Sequence, residues 1–210
     1  MNPQSPAALD AAAQALIEAR RDHRQIVPPG ITPASHEEVY AIQDRVAAAC
    51  GPVAGWKVGA RSPDAVPNCA PILGNVRPSP ARFDPVRMHV IGIESEVAFR
   101  IGRDLPANAA GIPAADALQA IESAHAAIEV VDTRIADRER ADPLWLLADN
   151  QMNLGLVVGP AWQGWREHDW SRQPVQLSID GATIEDKQGG LPSRDPLRLV
   201  AWLADHAVRH

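Results

Sequence analysis

The chain opens with apolar residues at helical spacing. Over residues 7–24, Leu9, Ala12, Ala13, Leu16 and Ile17 recur at three- and four-residue steps, while Glu18, Arg20 and Arg21 fall largely off that stripe. This pattern predicts an amphipathic helix, stopped by Pro28-Pro29-Gly30. A second helix is predicted from Ser35, where Glu38 three residues on completes a capping-box pattern. It runs through Val39, Ile42, Val46 and Ala47 to Cys50 and ends at Gly51-Pro52. From Gly55 onward the period shortens, and proline and glycine break the chain into strand-sized pieces. Strands are predicted at 56–58, 90–101, 127–132, 154–158 and 175–179, with further helices at 114–124 and 196–208. The result is a mixed α/β body with much irregular strand, not a βαβ repeat. Residues 1–54 form an N-terminal helical segment and 55–210 the mixed β part, the two acting as one functional unit. No Gly-rich loop follows a strand, so no nucleotide-binding fold and no organic cofactor residues are assigned.

The most informative stretch is Gly92-Ile93-Glu94-Ser95-Glu96-Val97-Ala98-Phe99-Arg100. Side chains alternate faces along a strand. Ile93, Val97, Phe99 and Ile101 then share one face, and Glu94, Glu96, Ala98 and Arg100 the other. Two carboxylates so placed repel unless something positive sits between them. A hard divalent cation with oxygen ligands meets that need. A solvated acidic face with Arg100 as partner also meets it, and on this segment alone is the commoner use of such a pair. Glu129 adds a third carboxylate, in the middle of the apolar run Ala126-Ala127-Ile128-Glu129-Val130-Val131. A charge buried there must be paired or must hold a metal. Arg134 is the pairing alternative, and Glu94, Glu96 and Glu129 together make a three-carboxylate metal site.

Composition narrows the partners. A net charge of −6 and a pI of about 5.6 carry no phosphate-backbone footprint, so nucleic acid is not expected. No apolar run is long enough to span a bilayer, and residues 1–6 lack a secretory pattern, which points to no membrane and a cytoplasmic setting. Cys50 and Cys69 stand apart in unlike contexts, and a disulfide is not favoured. Of 20 basic residues only Lys57 and Lys187 are lysine. A lysine kept among arginines is either chance or a place needing a compact ammonium.

Four segments in order carry a resemblance. Gly55-Trp56-Lys57-Val58-Gly59, the Gly92–Phe99 stretch, Ala127-Ile128-Glu129-Val130-Val131-Asp132 and Leu147-Ala148-Asp149-Asn150 resemble the 2-keto-4-pentenoate hydratase branch of the fumarylacetoacetate hydrolase superfamily. The likeness runs from the first helix to the 197–203 helix. It implies an α+β fold with a mixed, strongly curved β-roll or barrel and N-terminal helices. It also implies Mg²⁺ or Mn²⁺ held at Glu94, Glu96 and Glu129. The substrate it implies is a small 2-oxo or 2-hydroxydienoic acid, of the kind met in aromatic breakdown, and in the hydratases the lysine matching Lys57 faces the substrate. Two features depart from the pattern. Relatives continue through further strands with a Thr-Gly-Ser-like stretch, which are expected to be missing here, leaving an edge that another copy covers in a homo-oligomer. The Cys69-Ala70-Pro71-Ile72-Leu73-Gly74 stretch also lacks an acidic residue that some hydratases carry.

The expected reaction is hydration of a 2-hydroxy-2,4-dienoate to a 4-hydroxy-2-oxo acid. The alternatives are decarboxylation, C–C bond hydrolysis, or an inactive fragment that works only in assembly. Lys57 is the candidate for stabilising the enolate or moving a proton, against the reading of a lysine that snorkels to solvent. Asp149, with Asn150, is the candidate for orienting substrate or water, against a turn cap. Asp132 is assigned to a turn or supporting role, pointing away from Glu129. His125, placed at a helix end, and His89 are read as structural. Trp56, Trp145 and Trp202 are expected in the core.

Overall fold

A computed structural model describes residues 3–105 and 111–209. The described chain contains five α-helices and eight strands. The helices are α1 (Pro6–Arg21), α2 (His36–Cys50), α3 (Ala114–Gln119), α4 (Pro143–Ala148) and α5 (Pro196–Arg209). The strands are β1 (Val53–Gly59), β2 (Asn68–Leu73), β3 (Val76–Pro78), β4 (Gly92–Ile101), β5 (Ile121–Val131), β6 (Asn153–Trp162), β7 (Pro174–Ile179) and β8 (Ala182–Gln188). They form a β1-β2 pair, a four-stranded sheet in the order β3-β6-β5-β4, and a β7-β8 pair. β3 runs parallel to β6, with Val76 opposite Leu156. Among the described residues no sheet closes on itself, so the fold is a mixed α/β arrangement of open sheets rather than the barrel expected.

By compactness the chain forms two units, the first from 1–57, 69–94 and 127–159, the second from 58–68, 95–126 and 160–210. In the first unit the α1 stripe buries Leu9, Ala12, Ala13, Leu16 and Ile17 against Val39, Ile42 and Val46 of α2 and Trp145 and Leu147 of α4. Ser5 caps α1 by accepting from Ala8 N, and Ser35 caps α2 by accepting from Glu38 N. The Glu38 carboxylate in turn accepts from Ala34 N, one residue before the cap, and from Gln4 N, just ahead of α1, both at 2.7 Å. α1 stops at Arg21, short of the expected 24. Beyond it, Ile26 leaves to bridge Ile135, its N donating to Arg134 O at 2.8 Å. A backbone hydrogen bond to a distant segment competes there with the last helical turn.

The second unit has its own core of Ile121, Ala124, Trp165 and Trp170, with Val97, Phe99, Leu118 and Trp162 packed on it. α3 packs against α5. The β7-β8 hairpin turns at Asp180-Gly181, both at positive φ (50° and 80°), the backbone a tight hairpin turn demands.

Three expectations are corrected here. The helix foreseen at 114–124 ends at Gln119, and residues 121–124 belong to β5. Alanine-rich sequence favours helix locally, but Ala120 O accepts from Gly102 N at 2.8 Å, and ladder pairing overrides so weak a preference. His125 accordingly lies on a strand, its Nε2 2.9 Å from Ser123 Oγ on the same face. Of the three tryptophans expected in the core only Trp145 is buried. Trp56 is 42 % exposed, and Trp202 is half-buried, stacked on His206 with ring centroids 4.6 Å apart. A strand or helix with one wet face carries some large side chains on that face whatever their hydrophobicity.

Candidate metal centre

β4 and β5 are neighbours in the four-stranded sheet, and they carry the acidic residues. Glu94 and Glu96, two residues apart on β4, project to one side. Glu129 lies near the end of β5, and carboxylate oxygens of all three lie within 4.8 Å of one another. Their surroundings differ sharply. Glu129 is 2 % exposed, Glu96 is intermediate, and the Glu94 side chain is 52 % exposed.

Lys57 on β1 reaches into this cluster. Its Nζ donates to Glu129 Oε1 at 2.7 Å and to Gln151 O at 3.3 Å, and lies 3.9 Å from Glu94 Oε2. Its side chain is 18 % exposed, so the ammonium sits among the carboxylates instead of snorkelling outward. Asn153 Nδ2 donates to the same Glu129 oxygen at 2.9 Å. Burial pushes the Glu129 carboxyl above the ordinary glutamate range; the Lys57 charge and the hydrogen bonds from Lys57 and Asn153 pull the other way, and Glu94 adds to the rise. Desolvation outweighs the donors.

The donor set is all oxygen, as a hard cation requires. Three carboxylates and one ammonium leave two negative charges, the charge a divalent cation neutralises. The spacing is compatible with one ion, since ligand oxygens about 2.1 Å from a metal lie about 3–4 Å from each other. Glu94, Glu96 and Glu129 are the residues that could hold it.

Asp149 stands in a different network. Its Oδ1 accepts from Arg134 Nε at 2.6 Å and Arg20 Nη2 at 3.5 Å, and its Oδ2 accepts from Thr133 Oγ1 and Arg134 N, both at 2.9 Å. The residue is fully buried. Arg134, weighed as a partner for Glu129, pairs with Asp149. Arg20 is held by Asp149 and by Asn150 Oδ1 at 3.1 Å, and burial chiefly lowers its pKa to about 10. This network anchors the turn that follows, in which Asn150, Gln151 and Met152 all have positive φ (54°, 51° and 60°). Left-handed backbone costs non-glycine residues roughly 1–2 kcal/mol each. The turn aims Gln151 O at Lys57 and starts β6 with Asn153 facing Glu129.

Sequence reasoning missed Asn153 and Gln151. Asn153 left a weak signal, an amide opening an apolar strand. Gln151 left none, because it meets Lys57 through its main-chain carbonyl.

The chain matches the model of the fumarylacetoacetate (FAA) hydrolase C-terminal family over residues 55–208. It is similar to 2-keto-4-pentenoate hydratase of Burkholderia vietnamiensis, 34% identical over 123 residues that cover 56% of this chain and 44% of the relative. It is also similar to a 4-oxalocrotonate decarboxylase of a Pseudomonas species, 33% identical over 117 residues, covering 56% and 43%. The matched part thus spans less than half the length of these curated relatives. Among solved structures, 4-oxalocrotonate decarboxylase from Pseudomonas putida G7 complexed with magnesium and adipate superposes with a TM-score of 0.74. That match has 20% identity and covers 98% of this chain and 82% of the other. The same enzyme complexed with calcium and acetate gives a TM-score of 0.76 at 20% identity. These two likenesses concern the fold, with its mixed sheets and flanking helices. With the family model matching residues 55–208, most of this chain, the chain belongs to the fumarylacetoacetate hydrolase family.

Proposed function

We propose that this chain is a divalent-metal-dependent hydratase of small 2-hydroxy-2,4-dienoic acids, the products being 4-hydroxy-2-oxo acids of the kind met in aromatic-compound breakdown. The observation that carries the reading is the cluster of Glu94, Glu96 and Glu129 with the Lys57 ammonium inside it. Similarity to the hydratases, and the magnesium and calcium bound by the decarboxylase of like fold, support it.

The three carboxylates would hold Mg²⁺ or Mn²⁺, which supplies Lewis acidity toward a 2-oxo carboxylate. The net reaction delivers the hydroxyl of water to C4 and a proton to C5 of the dienoate, while the enol proton moves to C3. Such proton traffic needs a group within hydrogen-bond reach. Among the described residues Lys57 is the lysine in the cluster, and its ammonium can donate to an oxyanion or return a proton. The Glu129 carboxylate holds Lys57 in place, and the Gln151 carbonyl fixes its direction. Asp149 acts at a remove, as a positioning residue that secures the 150–152 turn.

The test is calorimetric titration of Mg²⁺ and Mn²⁺ into metal-free protein beside Glu96→Gln, followed by ultraviolet assay of dienoate consumption. Saturable binding lost in the variant, with water-dependent loss of dienoate absorbance, is the expected result. Release of CO₂ from a 2-oxo diacid in place of hydration would assign the decarboxylase reaction instead. Well-folded wild type that binds neither ion would remove the reading.

A further inference from the structure

Three groups of the cluster arrive on separate pieces of chain: Lys57 from β1, Glu94 from β4 and Glu129 from β5. One residue outside the cluster touches the supports of all three. Asp132 follows the last residue of β5, three positions beyond Glu129, and is buried. Because β5 ends at Val131, strand alternation does not set where Asp132 points. Its Oδ1 accepts from both His89 N at 2.9 Å and Val90 N at 2.7 Å, the two amides that lead into β4. Its own N donates to Met152 O at 2.9 Å. That bond ties it to the left-handed turn whose Gln151 O accepts from Lys57 and whose next residue, Asn153, donates to Glu129.

We infer that Asp132 is the positioning residue that fixes Lys57, Glu94 and Glu129 relative to one another. A carboxylate oxygen shared by two successive amides leaves the 89–90 backbone one position along β5. Glu94, four residues further on a stiff strand, inherits that position. The main-chain bond to Met152 does the same for the turn that aims Gln151 O. Removing the carboxylate leaves two amides without their acceptor, and the lead into β4 is then free to shift relative to β5. Removing only its charge keeps the acceptor. The role is geometric, so Asp132→Asn should preserve what Asp132→Ala abolishes.

The chain offers a direct readout, because Lys57 and Lys187 are its only lysines. Lys187 is well exposed and serves as the internal reference. Acetylation of Lys57 relative to Lys187, followed by mass spectrometry in metal-free buffer, reports whether the ammonium keeps its partners. In Asp132→Ala the relative rate is expected to rise about tenfold, the scale of shift expected when buried donors lose their acceptor. Amide exchange at His89 and Val90 should accelerate with it. Asp132→Asn should stay within about threefold of wild type on both measures. Mn²⁺ affinity should fall about 10–100-fold in Asp132→Ala and hold in Asp132→Asn. Val46→Ala, a core truncation in the same unit, should lower Tm while leaving all three unchanged. If Asp132→Ala does not fold, Asp132→Ser, whose hydroxyl falls short of the two amides, takes its place.

Lys57 labelling or His89 and Val90 exchange at the wild-type rate in the truncated variant overturns the inference. So does an Asp132→Asn protein that behaves like the truncation. Only the Mn²⁺ measurement rests on the metal reading proposed above. If wild type itself binds no Mn²⁺, that reading fails, and labelling and exchange still decide the role of Asp132.

Discussion

Replacing Lys57 by methionine in metal-free protein isolates the central ion pair. Methionine keeps most of the aliphatic volume of the lysine and removes the charge. In wild type the 2.7 Å contact joins a side chain 18 % exposed to one 2 % exposed. Truncating one partner of a buried pair costs about 3–5 kcal/mol, most of it the penalty of leaving the other charge alone. Asn153 still donates to Glu129, and the contact with Glu94 at 3.9 Å involves a half-exposed carboxylate of little weight. These place the expected loss near the lower end, about 3 kcal/mol. For a chain of this length that is a fall in Tm of about 6–12 °C. The loss depends on pH with a definite sign. Burial is the largest influence on Glu129 and raises its pKa; Lys57 is the largest influence lowering it. Without Lys57 the carboxyl rises further. A carboxyl whose folded pKa lies above its unfolded value contributes stability that is fully present below the unfolded value and is lost as pH rises through the folded one. The Lys57→Met deficit should therefore be small near pH 4, the ordinary glutamate range, and grow as pH rises from there. The double variant Lys57→Met/Glu129→Gln should recover most of the loss near pH 8. Calorimetric melts in EDTA across that range are the assay. A Lys57→Met protein as stable as wild type near pH 8, or a double variant no better than the single one, would refute the paired-burial argument.

Three further outcomes follow from the same structure. Because Glu129 must lose its proton to ligate a cation and burial raises its pKa, Mn²⁺ affinity should weaken as pH falls into the acid range, with protons released on binding; titration in buffers of different ionisation enthalpy reads this directly, and pH-independent binding would contradict it. Burial pushes the Cys69 thiol up to about 12, its hydrogen bond with Tyr40 only partly offsetting this, so near pH 8 the thiolate fraction is about one in 10⁴. A disulfide reagent should then titrate Cys50 in the native protein and Cys69 only in denaturant, and rapid reaction of both would show the site to be open. Trp145→Ala should cost about 3–5 kcal/mol, since a buried indole that donates from Nε1 to Ile31 O at 2.9 Å is removed from the α1-α2-α4 core; a melt within about 1 kcal/mol of wild type would contradict that packing.

What could be read from sequence follows from how local each signal is. The α1 stripe of Leu9, Ala12, Ala13, Leu16 and Ile17 is legible because helical period and burial coincide, and all five are buried. Glu94 and Glu96 are legible as same-face neighbours because strand alternation is a property of the backbone alone. The 114–124 segment was misread because alanine's helical preference is worth only fractions of a kcal/mol per residue, less than the ladder bonds that β5 gains. Trp56 was misread for a related reason: whether a strand's face is wet depends on what lies beyond it.

The sequence by itself determined the two N-terminal helices, the cap of the second, the acidic pair on one strand face and the lone carboxylate in an apolar run. Each rests on spacing within about ten residues, where backbone geometry leaves few choices. Tertiary structure alone decided that Lys57, 72 positions from Glu129, is its partner, and that Arg134 pairs with Asp149 instead. It also decided that Gln151 contributes a carbonyl presented by a left-handed turn, and that Asp132 joins β4 to β5. Partner choice among several acids and bases is settled by burial and distance, because a charge removed from water is held by whatever donor folding brings within reach. No spacing along the chain encodes that distance.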